Sequence, residues 1–299
     1  MEAAESRRFL DPEVVARLAR MDIKARLVVE GFVAGLHKSP YRGFSVEFAE
    51  HRQYMPGDPL RHVDWKVYAK SDKYYVKEYE EETNLRSYLL LDASASMGYG
   101  SRGVSKFLYA AQLAASLAYL MLKQRDSVGL VLFDDGLRRY LAPRAAPTHL
   151  HEILQELERA EASSGTDVGT SLRKLTERIH RRGLVILLSD LLDDPEQVLT
   201  ALRYFRHKKH EVVVFHVLDP MEVRFGFDRE ARFEDLESED HVIVQPWRIQ
   251  REYEREVDAW RDHYRKVCSE NRIDYNFVET TTPYDVSLFA YLNKRSKLG

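Results

Sequence analysis

The hydrophobic pattern changes character near residue 86. Beyond it, short continuous apolar runs alternate with longer stretches of helical period. Ser87 to Leu91, Val128 to Phe133, Leu184 to Leu188, Val212 to Leu218 and Tyr275 to Val278 read as strands. Lys106 to Lys123, Thr148 to Ala160, Val168 to His180, Pro195 to Phe205, Ile249 to Asn271 and Asp285 to Asn293 read as helices. Strands that are apolar throughout and separated by helices predict a mostly parallel sheet covered on both faces. The expected fold class is therefore α/β, a three-layer, doubly wound domain over residues 86–299. Asp135-Gly136 suits a hairpin turn into an edge strand at Arg138 to Leu141. Met221 to Trp247 reads as an inserted hairpin, with strand-like Ala231 to Leu236 and His241 to Gln245.

Residues 1–85 have a different texture and are expected to form an N-terminal α+β extension. Asp11-Pro12 is a good helix start, and a second helical stretch runs from Ile23 to Leu36. The middle of Tyr41 to Tyr54 alternates like a strand, and Met55-Pro56-Gly57-Asp58 supplies a tight turn. A short helix carrying Arg61, Asp64, Trp65 and Tyr68 follows, then an extended run from Lys73 to Glu81. Phe44, Phe48, Tyr54 and Trp65 need burial, so this segment is expected to pack on the main domain with Trp65 as a core anchor.

Composition narrows the function classes. Hydrophobic residues make up 44% and charged ones 31%, which fits a globular protein. The 45 basic and 48 acidic residues leave a formal charge of −3, so there is no general electrostatic case for nucleic-acid binding. The clusters Arg178 to Arg182 and Arg203 to Lys209 sit at helix ends, where cations complement the macrodipole. A single cysteine, Cys268, excludes an intramolecular disulfide and a Cys-based zinc site. Phe107 to Leu122 is almost wholly apolar but falls short of the ~20 residues of a membrane span. It is expected to be a buried helix. The opening residues lack the apolar core of a signal peptide, and a cytoplasmic location with no membrane span is expected.

In an open parallel sheet, ligands bind beyond the carboxyl ends of the strands. The first strand ends in Asp92-Ala93-Ser94-Ala95-Ser96, the Leu184 to Leu188 strand in Ser189-Asp190, and the loop Ser163 to Asp167 lies between them. These loops can gather Asp92, Ser94, Ser96, Thr166 and Asp190 around one point. All five are hard oxygen donors with few formal charges, which suits Mg²⁺ or Mn²⁺ that keeps several waters. Asp167 belongs outside the set, as a helix-start residue. Gly98-Tyr99-Gly100-Ser101-Arg102-Gly103 matches a dinucleotide fingerprint, but Asp92 to Met97 intervenes between strand and first glycine. The same glycines fail as a phosphate loop, because Val104-Ser105-Lys106 replaces the required Gly-Lys-Ser/Thr. There is no Gly-x-Ser-x-Gly elbow and no His-Glu-x-x-His, and Ser94 stands where a haloacid-dehalogenase-like phosphatase has its second aspartate.

Asp92-x-Ser94-x-Ser96, Thr166 and Asp190 resemble the metal-ion-dependent adhesion site of von Willebrand factor type A domains. Tyr41-Arg42-Gly43, Glu47-Phe48, Arg52, Tyr54, Pro56-Gly57-Asp58, Arg61, Asp64-Trp65 and Ala69 add a second, independent set. Together they resemble the bacterial family catalogued as domain of unknown function fifty-eight, over about Leu27 to Leu292. The resemblance implies that Ser94 and Ser96 contact a cation directly, that Thr166 does so directly or through water, and that Asp92 and Asp190 orient waters. It implies that a partner's carboxylate fills the remaining position. Members of that family are often encoded beside MoxR-type AAA+ ATPases. The expectation is a non-enzymatic, Mg²⁺-dependent protein-interaction module working with such an ATPase. A metal-dependent hydrolase and a scaffold with a vestigial metal site are the alternatives.

Overall fold

The computed structural model describes residues 46–55, 63–71, 73–81, 85–163, 165, 167–234 and 241–296. The helices expected at residues 11–36, the Pro56-Gly57-Asp58 turn, Arg61 and Thr166 lie outside the described residues. The chain divides into two compact units, one spanning Val33–Asn84 and the other containing Leu85–Gly299.

In the smaller unit, β1 (Val46–Gln53) pairs antiparallel with β2 (Tyr75–Glu81), with a register slip between Phe48 and Glu50. Helix α1 (Trp65–Ser71) connects them. Asp64 N–H donates to the Tyr75 carbonyl at 2.8 Å, and Val63 bridges Val76. Those two valines are buried, whereas Trp65, expected as an anchor, is 56% exposed. Its ring stands edge-on to Tyr68, which stacks on Tyr74 at 4.4 Å. The Val63–Val76 bridge takes the buried position and leaves Trp65 outside, at the first residue of α1.

The larger unit is built on six strands: β3 (Arg86–Asp92), β4 (Ser127–Phe133), β5 (Leu137–Arg144), β6 (Leu184–Ser189), β7 (Glu211–Leu218) and β10 (Asp274–Glu279). Their order is β10-β7-β6-β3-β4-β5, parallel except for β5, which pairs antiparallel with β4. This is the α/β architecture expected, a mostly parallel sheet flanked by helices. Strand residues alternate between two packed faces. Tyr88, Leu90, Val185, Leu187, Val212 and Val214 point into a core shared with α4 (Val168–Arg178), α5 (Pro195–His207) and α7 (Pro246–Glu270). The opposite face meets α2 (Lys106–Lys123), which also packs against α3 (His149–Arg159) and α8 (Tyr284–Ser296). The alanine-rich stretch expected as a buried helix is α2, with Ala110, Ala111, Leu113 and Ala114 fully buried. No described helix is long and apolar enough to cross a membrane. Short helix α6 (Pro220–Arg224) leads to a two-stranded antiparallel pair, β8 (Ala231–Glu234) with β9 (His241–Val244), so the stretch from Met221 to Trp247 begins and ends in helix. Charged β5 forms one edge of the sheet, with Arg138, Arg139 and Arg144 on it.

At the amino end of the sheet, Asp126 is buried just before β4. Its Oδ1 accepts the Leu85 N–H at 3.1 Å, while Oδ2 has no hydrogen-bond partner among the described residues. Burial pushes its pKa up to about 7, against which the Leu85 hydrogen bond acts. The folded state therefore holds this proton more tightly than the unfolded chain. Stability contributed here is present below the ordinary carboxylate pKa near 4 and is lost as pH rises through about 7. Asp126→Asn keeps an acceptor for Leu85 and removes the charge. It is expected to stabilise the protein by roughly 1–3 kcal/mol at pH 8, with the gain vanishing near pH 4. Urea unfolding at both pH values checks this; an equal effect at pH 4 and pH 8 contradicts it.

Candidate metal centre

The site begins with the register of two neighbouring strands. β3 and β6 run parallel with Leu91 opposite Leu188, so both chains leave the sheet at the same level. Asp92 ends β3, and Asp190 follows the last residue of β6. Both are fully buried. Beyond Asp92 the chain turns into a 3-10 helix, Ala95–Gly98, with Ser94 at its start. Ser94 N–H donates back to Asp92 Oδ1 at 3.0 Å, which curls the loop. That turn brings the Ser94 and Ser96 hydroxyls to 3.1 Å from each other. Ser94 is buried and Ser96 half-buried, so the pair opens outward from the carboxylates.

Ser189 completes the carboxylate cradle. Its hydroxyl donates to Asp92 Oδ2 at 2.5 Å and accepts the Leu191 N–H at 2.9 Å. Leu191 sits at φ 55, in a left-handed conformation rare for a bulky residue, and its side chain is fully buried in the core. The turn it makes lets Leu192 N–H donate to Asp190 Oδ1 at 3.2 Å. Asp92 is pushed up to about 7, chiefly by burial and then by the charge of Asp190, while hydrogen bonds from Ser189 and Ser94 act the other way. Two buried carboxylates repelling one another, with two hydroxyls converging beside them, form a donor set that a hard divalent cation fits. Among the described residues, no three His, Cys, Asp or Glu side chains group as metal ligands. A cation here would therefore rely on hydroxyls and water for most of its coordination. Asp167 caps α4 by accepting the Thr170 N–H at 2.9 Å, the helix-start role expected of it.

Behind Asp190 lies a cation that belongs to the chain. Lys106, the first residue of α2, is fully buried. Its Nζ donates to Asp190 Oδ2 at 2.7 Å and to Glu222 Oε1 at 2.5 Å. Burial opposes its charge, but the two carboxylates outweigh this and lift its pKa above the ordinary lysine value. Glu222 in turn closes a capping box with Asp219 at the start of α6, accepting the Asp219 N–H at 2.8 Å. Asp219 accepts both the N–H and the hydroxyl of Ser101, at 2.9 and 2.6 Å. The glycine loop is thus held as a strut to Asp219. Gly100 has no room for a side chain, since a Cβ would lie 2.4 Å from the Val104 carbonyl oxygen.

Sequence reasoning missed Lys106, Ser189, Asp219 and Glu222 in these roles. One signal was present: a lysine opening a largely apolar helix stands at the end where cations are disfavoured, a placement that acids elsewhere in the chain can offset. His216, opposite Ser189 on β7, is buried and packed edge-on to Trp260, Tyr264, Tyr275 and Phe277. Burial pushes its pKa down to about 3, so the imidazole is neutral, and its Nδ1 lies 2.6 Å from the Tyr275 hydroxyl.

Two mycobacterial proteins are similar over most of their length. Uncharacterized protein Rv1480 of Mycobacterium tuberculosis and uncharacterized protein Mb1516 of Mycobacterium bovis are each 26% identical over 267 residues, covering 88% of this chain and 80% of theirs. Among solved structures, the conserved hypothetical protein BatB from Bacteroides thetaiotaomicron superposes with TM-score 0.45 at 15% identity, over 71% of this chain and 99% of that one. An aerotolerance-related membrane protein from Bacteroides fragilis gives TM-score 0.46 at 14% identity, over 70% and 99%. Residues 50–263 match the family described as "Protein of unknown function DUF58", and the chain belongs to that family.

Proposed function

We propose that this protein is a non-enzymatic, Mg²⁺-dependent protein-interaction module whose partner is a MoxR-type AAA+ ATPase. Supporting this reading is the cluster at the ends of β3 and β6: two buried carboxylates beside two converging hydroxyls. Asp92, Ser94, Ser96 and Asp190, with Thr166 as the sequence suggests, would hold Mg²⁺ or Mn²⁺. When bound, the cation supplies a Lewis-acidic position open to an outside carboxylate. The chain's own groups do the positioning. Ser189 and the Ser94 N–H fix both oxygens of Asp92, and the Leu192 N–H and Lys106 fix those of Asp190. The Lys106 ammonium beside Asp190 offsets part of the charge of the two aspartates, so a bound cation would keep positive charge with which to recruit a carboxylate from a partner. The choice of ATPase rests on the family resemblance. A non-catalytic role is supported by the lack of the hydrolase motifs weighed above and by the enclosure of His216 within aromatic rings.

The test is a pull-down of purified MoxR-type ATPase on immobilised full-length chain. Retention in Mg²⁺, loss in EDTA and loss in Asp92→Ala are expected. Equal retention with and without metal would count against a cation-dependent interface. Turnover of phosphoester or peptide substrates that disappears in Asp92→Ala would replace this reading with a hydrolase.

A further inference from the structure

The Lys106 ammonium is already paired with one carboxylate of the candidate metal site. Lys106 Nζ donates to Asp190 Oδ2 at 2.7 Å, and that contact is fully buried on both sides. The second acid, Glu222, lies 2.5 Å from Nζ with its side chain 21% exposed. Helix α2 does not need this ammonium to begin. Ser105 already caps it by accepting the Leu108 N–H at 3.2 Å, and the Lys106 backbone N–H donates to the Tyr99 carbonyl at 2.9 Å. A cation at a helix start, removed from water, is doubly disfavoured, so its place calls for an explanation beyond helix formation.

We propose that Lys106 is a positioning residue that part-neutralises Asp190 and so keeps the intrinsic divalent-cation affinity of the site low, with Glu222 as the counterweight that shares the ammonium's charge. The proposal rests on the metal reading above and deepens it. Asp92 and Asp190 together would offer a cation two negative charges, and the ammonium removes much of one of them. Low affinity then makes an outside carboxylate part of the binding event, so that cation and partner bind together. Glu222 sets how much of the ammonium's field reaches Asp190. Removing Lys106 should tighten cation binding, and removing the charge of Glu222 should weaken it. An ion pair whose field does not reach the cation would give no such pair of opposite effects.

The experiment is Mn²⁺ titration of full-length protein, read by the loss of the free Mn²⁺ electron paramagnetic resonance signal at fixed ionic strength. Lys106→Met keeps the length of the stem and drops the charge; it is expected to lower the Mn²⁺ Kd about tenfold or more. Glu222→Gln is expected to raise it several-fold. Asp92→Ala is the reference for loss of the site. If wild type binds Mn²⁺, Asp92→Ala does not, and Lys106→Met binds no more tightly than wild type, the inference is overturned and the metal reading stands. Should Lys106→Met fail to fold, Glu222→Gln decides, and an unchanged Kd overturns the inference. Binding that emerges only in Lys106→Met, and is lost again on adding Asp92→Ala, supports both. Absence of Mn²⁺ binding in every folded variant overturns both.

Discussion

Saturation with Mg²⁺ at about 100 times Kd is expected to raise the unfolding free energy of the wild-type chain by roughly 2.7 kcal/mol, and Asp92→Ala to erase that gain. The increment arises because the native state gathers Asp92, Ser94, Ser96 and Asp190, whereas the unfolded chain scatters them. Without metal, the effect of Asp92→Ala is a balance. Relief of a buried, repelled carboxylate opposes the loss of the hydrogen bonds from Ser94 N–H and Ser189 Oγ. The metal increment is therefore the quantity to compare. Asp167→Ala serves as the control. It removes the cap on α4, costs about 1 kcal/mol, and should preserve the Mg²⁺ response. Thermal unfolding at constant ionic strength, with Ca²⁺ alongside, reads all three proteins. A Mg²⁺ response in Asp92→Ala equal to that of wild type would show that the cation sits elsewhere.

Lys106→Ala is expected to lower metal-free stability by about 3–5 kcal/mol. The loss comes mainly from the acids left behind. Asp190 is fully buried and Glu222 mostly so, and each would lose its cationic partner. A charge-balanced variant, Lys106→Met with Asp190→Asn and Glu222→Gln, separates stranded charge from lost attraction. The two introduced amides would keep acceptors for the Leu192 and Asp219 N–H groups, so the triple variant should recover most of the loss. Urea unfolding measures both proteins. Recovery of less than a third of the loss would mean that the ion pair itself, and not the isolation of its acids, carries the stability.

The sheet was legible in the sequence because its four central strands, β3, β4, β6 and β7, are apolar on both faces and are separated by stretches of helical period. Leu184–Ser189 and Pro195–His207 lie within two residues of the expected bounds. Ser94 and Ser96 were legible for the same local reason: alternate residues on a curling loop turn together. What escaped was held by partners far along the chain. Lys106 meets Asp190 and Glu222 across 84 and 116 residues, and Ser101 meets Asp219 across 118. No local periodicity encodes such pairings. Trp65 failed for another reason: size and hydrophobicity predict burial, but the Val63–Val76 bridge had already taken the buried position in that small unit.

The pairing of β3 with β6 also fixes when the centre can exist during synthesis. Asp92 and Ser189 are 97 residues apart in the chain, yet they share a hydrogen bond. A nascent chain that has emerged only through β5 can form the local β4–β5 hairpin and set β4 beside β3, but it has no Asp190. The cradle appears only when β6 docks against the other side of β3, after a long loop closure whose entropy must already have been met by apolar contacts such as Leu90 against Leu187. A cation arriving early would find a loop with one carboxylate and two hydroxyls. If the proposed metal binds here, it would act as a latch on a finished sheet and not as a template for an unfinished one.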